Sequence, residues 1–224
     1  MKDNTLVKVL TVEFDHRLKI SEIPKFRGAV ISSMENAPIQ FHNHGETGLV
    51  YSYPLIQYKS INGKAFIICI NDSIKSTGNL FMEYQQQLKI GNRELMFPIK
   101  NINITDLAVG QSENPIEYSI VYWLPFNQDN YNKFKDLKKL SEQCCFLEKI
   151  SVGNIISFAK GAGIYLDFKI DCAIQSIEKT NIAKFKDVKM TAYDLRFTCN
   201  VSLPNYIGLG KGVSHGFGTI RKIQ

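Results

Sequence analysis

The order of strand-like and helix-like segments in the first hundred residues restricts the fold of this chain more than any other feature. Pro24 stands where a helix begins, and the dipeptide Asn62-Gly63 is a strong signal for a hairpin turn between two strands. The spacing of apolar residues identifies the other strands and helices, and together these signals predict the order βαββαβ. The predicted elements cover residues 6–14, 24–34, 48–58, 64–70, 74–88 and 94–104.

This order is that of the ferredoxin-like fold, in which four antiparallel strands carry two helices on one face and leave the other face open. The polar stretch 108–115 is expected to be a linker, and the second half repeats part of the pattern. We therefore predict an α+β protein of two tandem ferredoxin-like (RRM-like) domains, 1–108 and 114–224, the second incomplete. The expected elements of the second half are strands at 116–124, 165–176, 188–203 and 218–223 and a helical region at 128–159.

Composition favours a folded, mildly basic protein. The 224 residues are 44% hydrophobic and carry a formal charge of +6, which favours anionic partners such as nucleic acid. The five cysteines show no CxxC spacing and are expected to be reduced. Residues 1–14 lack the pattern of a secretory signal, and the apolar runs are too short to cross a bilayer. We expect a cytoplasmic protein with no membrane partner.

A glycine-rich segment near the C-terminus is the first candidate binding element. Five of the 15 glycines fall between Gly208 and Gly218, where the sequence reads GLGKGVSHGFG. Such a backbone can approach a ligand closely, and successive N–H groups can form a nest for phosphate. Lys211, Arg221 and Lys222 add positive charge. A plain glycine-rich hairpin before an edge strand is the alternative, whereas the Walker and dinucleotide-binding fingerprints do not fit the spacing.

Two histidines after the first predicted helix are the candidate catalytic pair. His42 and His44 lie in the segment FHNHGETGLVYSY, which also contains Tyr51. An imidazole with a pKa of about 6.5 can accept or donate a proton near neutrality. Cleavage of RNA by its own 2′-OH needs one group that accepts the 2′ proton and another that protonates the departing 5′ oxygen. Tyr51 could orient the phosphate, and this chemistry requires no metal.

Other interpretations of the histidine pair remain open. Both residues could be polar side chains of an exposed turn. With Glu46 they could bind zinc, but no second His or Cys cluster completes a ligand set, so we expect no metal and no other cofactor. A Ser-His-Asp site is disfavoured because the GxSxG motif is absent.

The glycine-rich segment resembles the C-terminal loop of the repeat-associated (RAMP) superfamily of CRISPR proteins. Its pattern is Gly, apolar, Gly, five residues, Gly, apolar, Gly, which Gly208, Leu209, Gly210, Gly216, Phe217 and Gly218 fill. Within the superfamily, the chain is similar to the endoribonucleases that cut CRISPR precursor RNA within repeats, particularly the subtype I-B form. Those enzymes carry a histidine pair and a nearby tyrosine, matched here by His42, His44 and Tyr51.

The resemblance implies metal-independent cleavage that leaves a 2′,3′-cyclic phosphate and a 5′-hydroxyl. It also implies that the glycine-rich loop holds repeat RNA. Together with the positive charges noted above, the candidate RNA-binding residues are Gly208, Gly210, Lys211, Gly216, Gly218, Arg221 and Lys222. Many relatives also use a catalytic lysine, for which Lys59 or Lys64 would have to reach the histidines, or Tyr51 would substitute. The partners implied are repeat RNA, a Cascade-type effector complex and a second copy in a homodimer. A non-catalytic RNA-binding subunit of an effector complex is the alternative function.

Overall fold

A computed structural model describes residues 5–34, 44–45, 48–49, 53–83 and 86–223. The chain divides into two compact units. The first contains Leu6–Leu107 and Ser214–Gly216, and the second contains Ala108–Val213 and the C-terminal stretch from Phe217. Within the described part, no helix is long and apolar enough to span a membrane.

The first unit combines a mainly antiparallel sheet with two helices. β4 pairs with β5, β5 with β1, and β1 with β8, while β2–β3 and β6–β7 form separate two-stranded ladders. The strands of this unit are β1 (Thr5–Arg17), β2 (His44–Gly45), β3 (Gly48–Leu49), β4 (Ile56–Ile61), β5 (Lys64–Ile70), β6 (Gln87–Ile90), β7 (Arg93–Met96) and the first part of β8 (Ile99–Trp123). The helices are α1 (Ile23–Ser32) and α2 (Ser73–Glu83).

The core of the first unit forms where α1 packs on the sheet. Pro24 lies in the first turn of α1, where its missing N–H has no helical acceptor to lose. Phe26 of α1 stacks on Phe97 at 5.1 Å between ring centroids and meets Tyr58 edge-on. Alternate residues of β1, among them Val12 and Phe14, enter the same cluster, as the period of a strand requires.

The second unit repeats the arrangement of a sheet with helices. β8 pairs with β10 and with β11, and β10 also pairs with β9. α4 packs against β9 and buries the apolar face that contains Leu147, Ile155 and Phe158. The elements are the second part of β8, α3 (Gln128–Asp136), α4 (Leu140–Gly161), β9 (Cys172–Phe185), β10 (Val188–Ser202) and β11 (Thr219–Lys222).

The structure confirms the α+β class but corrects several elements. The stretch 108–115 is not a linker, because it lies inside β8 and Gln111 pairs with Val201 of β10. The register shifts between the Gln111 pair and the next pair at Ile116, and such an irregularity accommodates Pro115, which has no N–H to donate. The helical region predicted at 128–159 is two helices, because Leu137 has an extended backbone between them.

Two predicted strands are also displaced. β4 begins at Ile56, so the prediction of a strand over 48–58 joined β3 to the start of β4. β9 begins at Cys172, whereas the sequence suggested 165. The five cysteines are free thiols, of which Cys69 and Cys199 are buried and Cys145 is exposed on α4.

Candidate functional site

The glycine-rich segment is a hydrogen-bonded loop that returns the chain to β11. Gly208 forms a bridge with Thr219 at the start of that strand. Four backbone N–H groups of the segment donate to carbonyl oxygens at 2.8 to 3.3 Å, namely those of Leu209, Lys211, Phe217 and Gly218. The expectation of a phosphate nest is therefore wrong for these four groups. The alternative of a glycine-rich hairpin describes this part of the loop better.

The glycines of the segment are needed for close packing. A Cβ at Gly218 would overlap the carbonyl of Leu209, and Gly218 has a φ of 63°, which side chains other than glycine rarely adopt. In the first unit, a Cβ at Gly216 would overlap the side chain of Ile23. The pattern of glycines that carried the resemblance thus serves to fold the loop, and contact with RNA would depend on the side chains that the loop positions.

The basic side chains predicted to bind RNA lie in two different clefts of the second unit. Lys211 is exposed and lines a cleft with Lys149 of α4. Arg221 and Lys222 of β11 line another cleft, of about 600 Å³, together with Arg196 of β10. The sequence analysis treated these three residues as one group beside the glycine-rich segment, whereas the fold places Lys211 in a different cleft from Arg221 and Lys222.

The second of these clefts lies along the sheet. Arg221 and Arg196 are both register partners of Ser119 on β8, so the three side chains point to the same face. Glu178 of β9 accepts a hydrogen bond from Arg196 Nε and so offsets part of the charge. Tyr206, also in the lining, supplies an aromatic ring. An exposed sheet face with arginines and an aromatic ring is suited to a nucleic acid backbone and its bases.

The candidate catalytic residues fall largely outside the described residues. His42 and Tyr51 are not among them. His44 is the first residue of β2, where its backbone pairs with Leu49, but its side chain is not described. The role of these three residues remains a prediction from the sequence.

The remaining histidines have identifiable surroundings. His16 lies against the ring of Phe97, with 3.9 Å between centroids, which supports a structural role. His215 lies in the first unit, where its Nδ1 is 3.2 Å from the hydroxyl of Ser214. Among the residues that the structure describes, no group of three or more His, Cys, Asp or Glu side chains could hold a metal ion.

The two lysines considered as assistants of the histidines differ in environment. The ammonium of Lys64 lies 3.4 Å from Asp15 Oδ1 and 3.6 Å from Glu13 Oε1, which ties it to β1. Lys59 on β4 is fully buried, and burial lowers its pKa to about 7. Sequence reasoning had no signal for this burial, because it depends on which face of β4 is covered.

The buried Lys59 predicts a pH-dependent stability. Between about pH 7 and pH 10 the unfolded chain keeps Lys59 protonated while the folded protein has released the proton, so the free energy of unfolding rises with pH. We expect Lys59→Met to lower this slope by about 1 kcal/mol per pH unit in urea denaturation. Burial raises the pKa of Cys69, so at high pH this thiol makes the free energy of unfolding fall as pH rises. This contribution is the same in the wild type and in Lys59→Met and does not affect the difference between them. Parallel pH curves for the two proteins would contradict the prediction.

Comparisons with known proteins define first the class and then the family. The chain has the fold of RAMP proteins: a solved RAMP protein that binds different RNA substrates matches with a TM-score of 0.52 at 13% identity, over 98% of this chain and 99% of that chain. The model of the Cas6b N-terminal domain matches residues 5–108, and the model of the Cas6b C-terminal domain matches residues 110–223. The chain belongs to the Cas6b family.

Individual relatives agree with this assignment. A crystal structure of Cas6b is 26% identical with a TM-score of 0.87, over 98% of this chain and all of that chain. A second structure, of the CRISPR RNA processing endoribonuclease Cas6b, is 22% identical with a TM-score of 0.76 and the same coverage. The uncharacterized protein MJ0978 of Methanocaldococcus jannaschii is 34% identical over 119 residues, which are 51% of this chain and 78% of that protein.

Proposed function

We propose that this protein is an endoribonuclease that cuts CRISPR precursor RNA within its repeats. The observation that carries the proposal is that Cas6b family models match both halves of the chain. Its similarity, over 98% of the chain, to the structure of the CRISPR RNA processing endoribonuclease Cas6b supports this activity. The basic clefts of the second unit supply surfaces on which a polyanionic substrate can bind.

The proposed chemistry is an internal transesterification carried out by His42, His44 and Tyr51. One histidine accepts the proton of the 2′-OH as the 2′ oxygen forms a bond to the adjacent phosphorus. The bond from phosphorus to the 5′ oxygen breaks, and the other histidine donates a proton to that oxygen. Tyr51 positions the phosphate. The products are a 2′,3′-cyclic phosphate and a 5′-hydroxyl, and no oxidant, metal or other cofactor takes part.

The second unit supplies the proposed RNA contacts. Lys211, Arg221 and Lys222 would neutralise phosphates, while Gly208, Gly210 and Gly218 hold the loop and the start of β11 in place. Gly216 packs on Ile23 within the first unit. Binding within a Cascade-type effector complex and formation of a homodimer belong to the same proposal. Light scattering with and without repeat RNA distinguishes a monomer from a dimer.

Cleavage without metal and with an essential 2′-OH is the first prediction of this mechanism. Repeat RNA should be cut in excess EDTA at the rate seen without it, and a single 2′-deoxy substitution at the cut nucleotide should abolish the cut. The measurement is single-turnover cleavage of end-labelled RNA on a sequencing gel. Cutting that requires metal, or that survives the deoxy substitution, contradicts the mechanism. Tight binding with no cutting by the wild-type protein would favour the non-catalytic subunit.

A second prediction concerns the sheet cleft of Arg221. Arg221→Gln should weaken binding of repeat RNA and flatten the dependence of log Kd on log salt by about one unit, because one phosphate contact is lost. Lys133→Gln is the matched control, since Lys133 is exposed on α3 and does not line this cleft. Fluorescence anisotropy at several salt concentrations measures both slopes. Equal slopes for Arg221→Gln and the wild type would remove Arg221 from the RNA interface.

A further inference from the structure

Helix α4 has a second face that the core does not use. Its core-facing residues include Leu147, Ser151 and Ile155, whereas a different set of side chains lines an open cleft of about 480 Å³ in the second unit. The cleft-facing set follows the helical spacing i, i+3, i+4, i+7 and i+8 and consists of Phe146, Lys149, Ile150, Gly153 and Asn154. The opposite walls are the start of α3 and the glycine-rich segment.

The lining combines three kinds of chemistry. Lys149 and Lys211 bring positive charge from two separate elements of the chain. Phe146 and Ile150 form an apolar wall, and amides come from Asn127, Asn130 and Asn154. None of the described residues that line the cleft is acidic. This combination suits a ligand that has a planar ring, hydrogen-bonding edges and a negative charge.

Part of the lining is fixed by internal hydrogen bonds. Trp123 Nε1 donates to Asn154 Oδ1 at 3.0 Å, which sets the orientation of the Asn154 amide. The N–H of Asn130 donates to Asn127 Oδ1 at 2.7 Å, which caps α3. Gly210 packs so closely on Trp123 that a Cβ would lie 2.7 Å from Nε1. A wall that is already in place loses little freedom when a ligand binds.

Gly153 leaves the cleft-facing side of α4 without a side chain at one position. It lies in the middle of α4, where glycine is less favourable than any residue except proline. It is exposed, and a Cβ built on it would meet nothing within 4 Å. Neither packing nor backbone conformation therefore explains the glycine, whereas a side chain at this position would project from the face of α4 that lines the cleft.

We infer that this cleft binds a single nucleotide of single-stranded RNA. Its base lies against Phe146 and Ile150 with its edge towards the asparagine amides, and Lys149 and Lys211 contact the flanking phosphates. The inference rests on the proposed function, because it makes the cleft a subsite for the same repeat RNA. To the residues proposed to contact the substrate it adds Phe146, Lys149 and Ile150 of α4 and the amides of Asn127, Asn130 and Asn154.

The test fills the cleft and asks which nucleotide is affected. Gly153→Gln should weaken binding of repeat RNA about 10-fold, comparable with the loss of one stacked base. Gly78→Gln is the matched control, because Gly78 is also an exposed helical glycine with nothing within 4 Å of a Cβ. The control should bind RNA as the wild type does. Circular dichroism and thermal melting verify that both variants are folded.

A set of RNAs, each with one abasic nucleotide, allows a double-mutant cycle between Gly153→Gln and each position of the RNA. The RNA carries 2′-deoxyribose at the mapped cut site so that binding is measured without cleavage. One abasic position should weaken binding to the wild type by about the same factor as Gly153→Gln and have no further effect on that variant. A wild-type Kd for Gly153→Gln, or additive effects at every abasic position, overturns the inference.

Charge gives an independent readout at the same cleft. Lys149→Gln should flatten the salt dependence of binding by about one unit, whereas Lys160→Gln on the same helix should not. Lys160 is exposed and does not line the cleft. An unchanged slope for Lys149→Gln also overturns the inference. If the wild type cuts no repeat RNA, the proposed function fails, but the unmodified transcript then serves as the probe and these binding tests still decide the subsite.

Discussion

Replacement of His42 or His44 by alanine is expected to lower the single-turnover cleavage rate of repeat RNA about 10²- to 10⁴-fold. Each change removes one of the two proton transfers that accompany attack of the 2′ oxygen and departure of the 5′ oxygen. The double variant should fall little below the slower single variant, because groups that act as a unit have non-additive effects. The measurement is the rate with enzyme in excess, so that product release does not contribute.

Binding separates this catalytic effect from a loss of structure. Both variants should bind 2′-deoxy repeat RNA with the Kd of the wild type, since an acid or base acts in the transition state rather than in the bound ground state. The pH profile of the wild type should be bell-shaped, and each single variant should lose one limb of the bell. Cleavage within threefold of the wild type in either variant would show that the pair is not the acid and base.

The second large effect is expected at Gly218. Gly218→Ala should lower the free energy of unfolding by about 3 kcal/mol, because the new Cβ would overlap the carbonyl of Leu209 at a φ that favours glycine. The backbone cannot move away easily, since the N–H of Gly218 donates to the Tyr122 carbonyl and its own carbonyl accepts from Leu209. Urea denaturation followed by circular dichroism measures the loss.

Gly163→Ala isolates the backbone part of this loss. Gly163 has a φ of 73°, but a Cβ there would meet nothing within 4 Å. Its replacement should therefore cost only about 1 kcal/mol, the price of the left-handed conformation. If Gly163→Ala and Gly218→Ala were equally destabilising, the close packing of the glycine-rich segment would not be what requires glycine at position 218.

The elements that could be predicted from the sequence are those with a strong local signal. β5 was predicted with its observed bounds, because the Asn62-Gly63 turn precedes it and Lys64 to Ile70 is almost uniformly apolar after the first residue. The start of α1 was indicated by Pro24, and the last two strands along the chain, β10 and β11, were close to their predicted bounds. In these places local propensity and tertiary structure agree.

The failures occurred where tertiary contacts override composition. The stretch 108–115 contains glycine, serine, asparagine and proline, which favour a linker, but the whole stretch lies inside β8, where Gly110 and Gln111 pair with β10. The break at Leu137 was hidden because lysines, which are good helix formers, lie on both sides of it. In neither place did the local sequence indicate the observed structure, which is a continuous β8 through 108–115 and a break between α3 and α4 at Leu137.

Some of the candidate RNA-binding residues could be found from the sequence, and others only from the structure. Lys211 lies inside the glycine-rich segment and Arg221 follows it closely, so their charge marked both as candidates, whereas Arg196 and Lys149 belong to elements outside this segment. Arg196 joins Arg221 only through the register of β8 with its two neighbours. Such cross-strand relations are set by the fold, so they could not be predicted from the amino-acid sequence alone.

The chemistry of the cut ends is the most direct test of the account. After cleavage of repeat RNA in EDTA, mass spectrometry of the two fragments identifies the group at each new end. The account predicts a 2′,3′-cyclic phosphate on the upstream fragment and a 5′-hydroxyl on the downstream fragment. A 3′-hydroxyl paired with a 5′-phosphate would show that water, and not the 2′ oxygen, attacked the phosphorus, and would contradict the proposed mechanism.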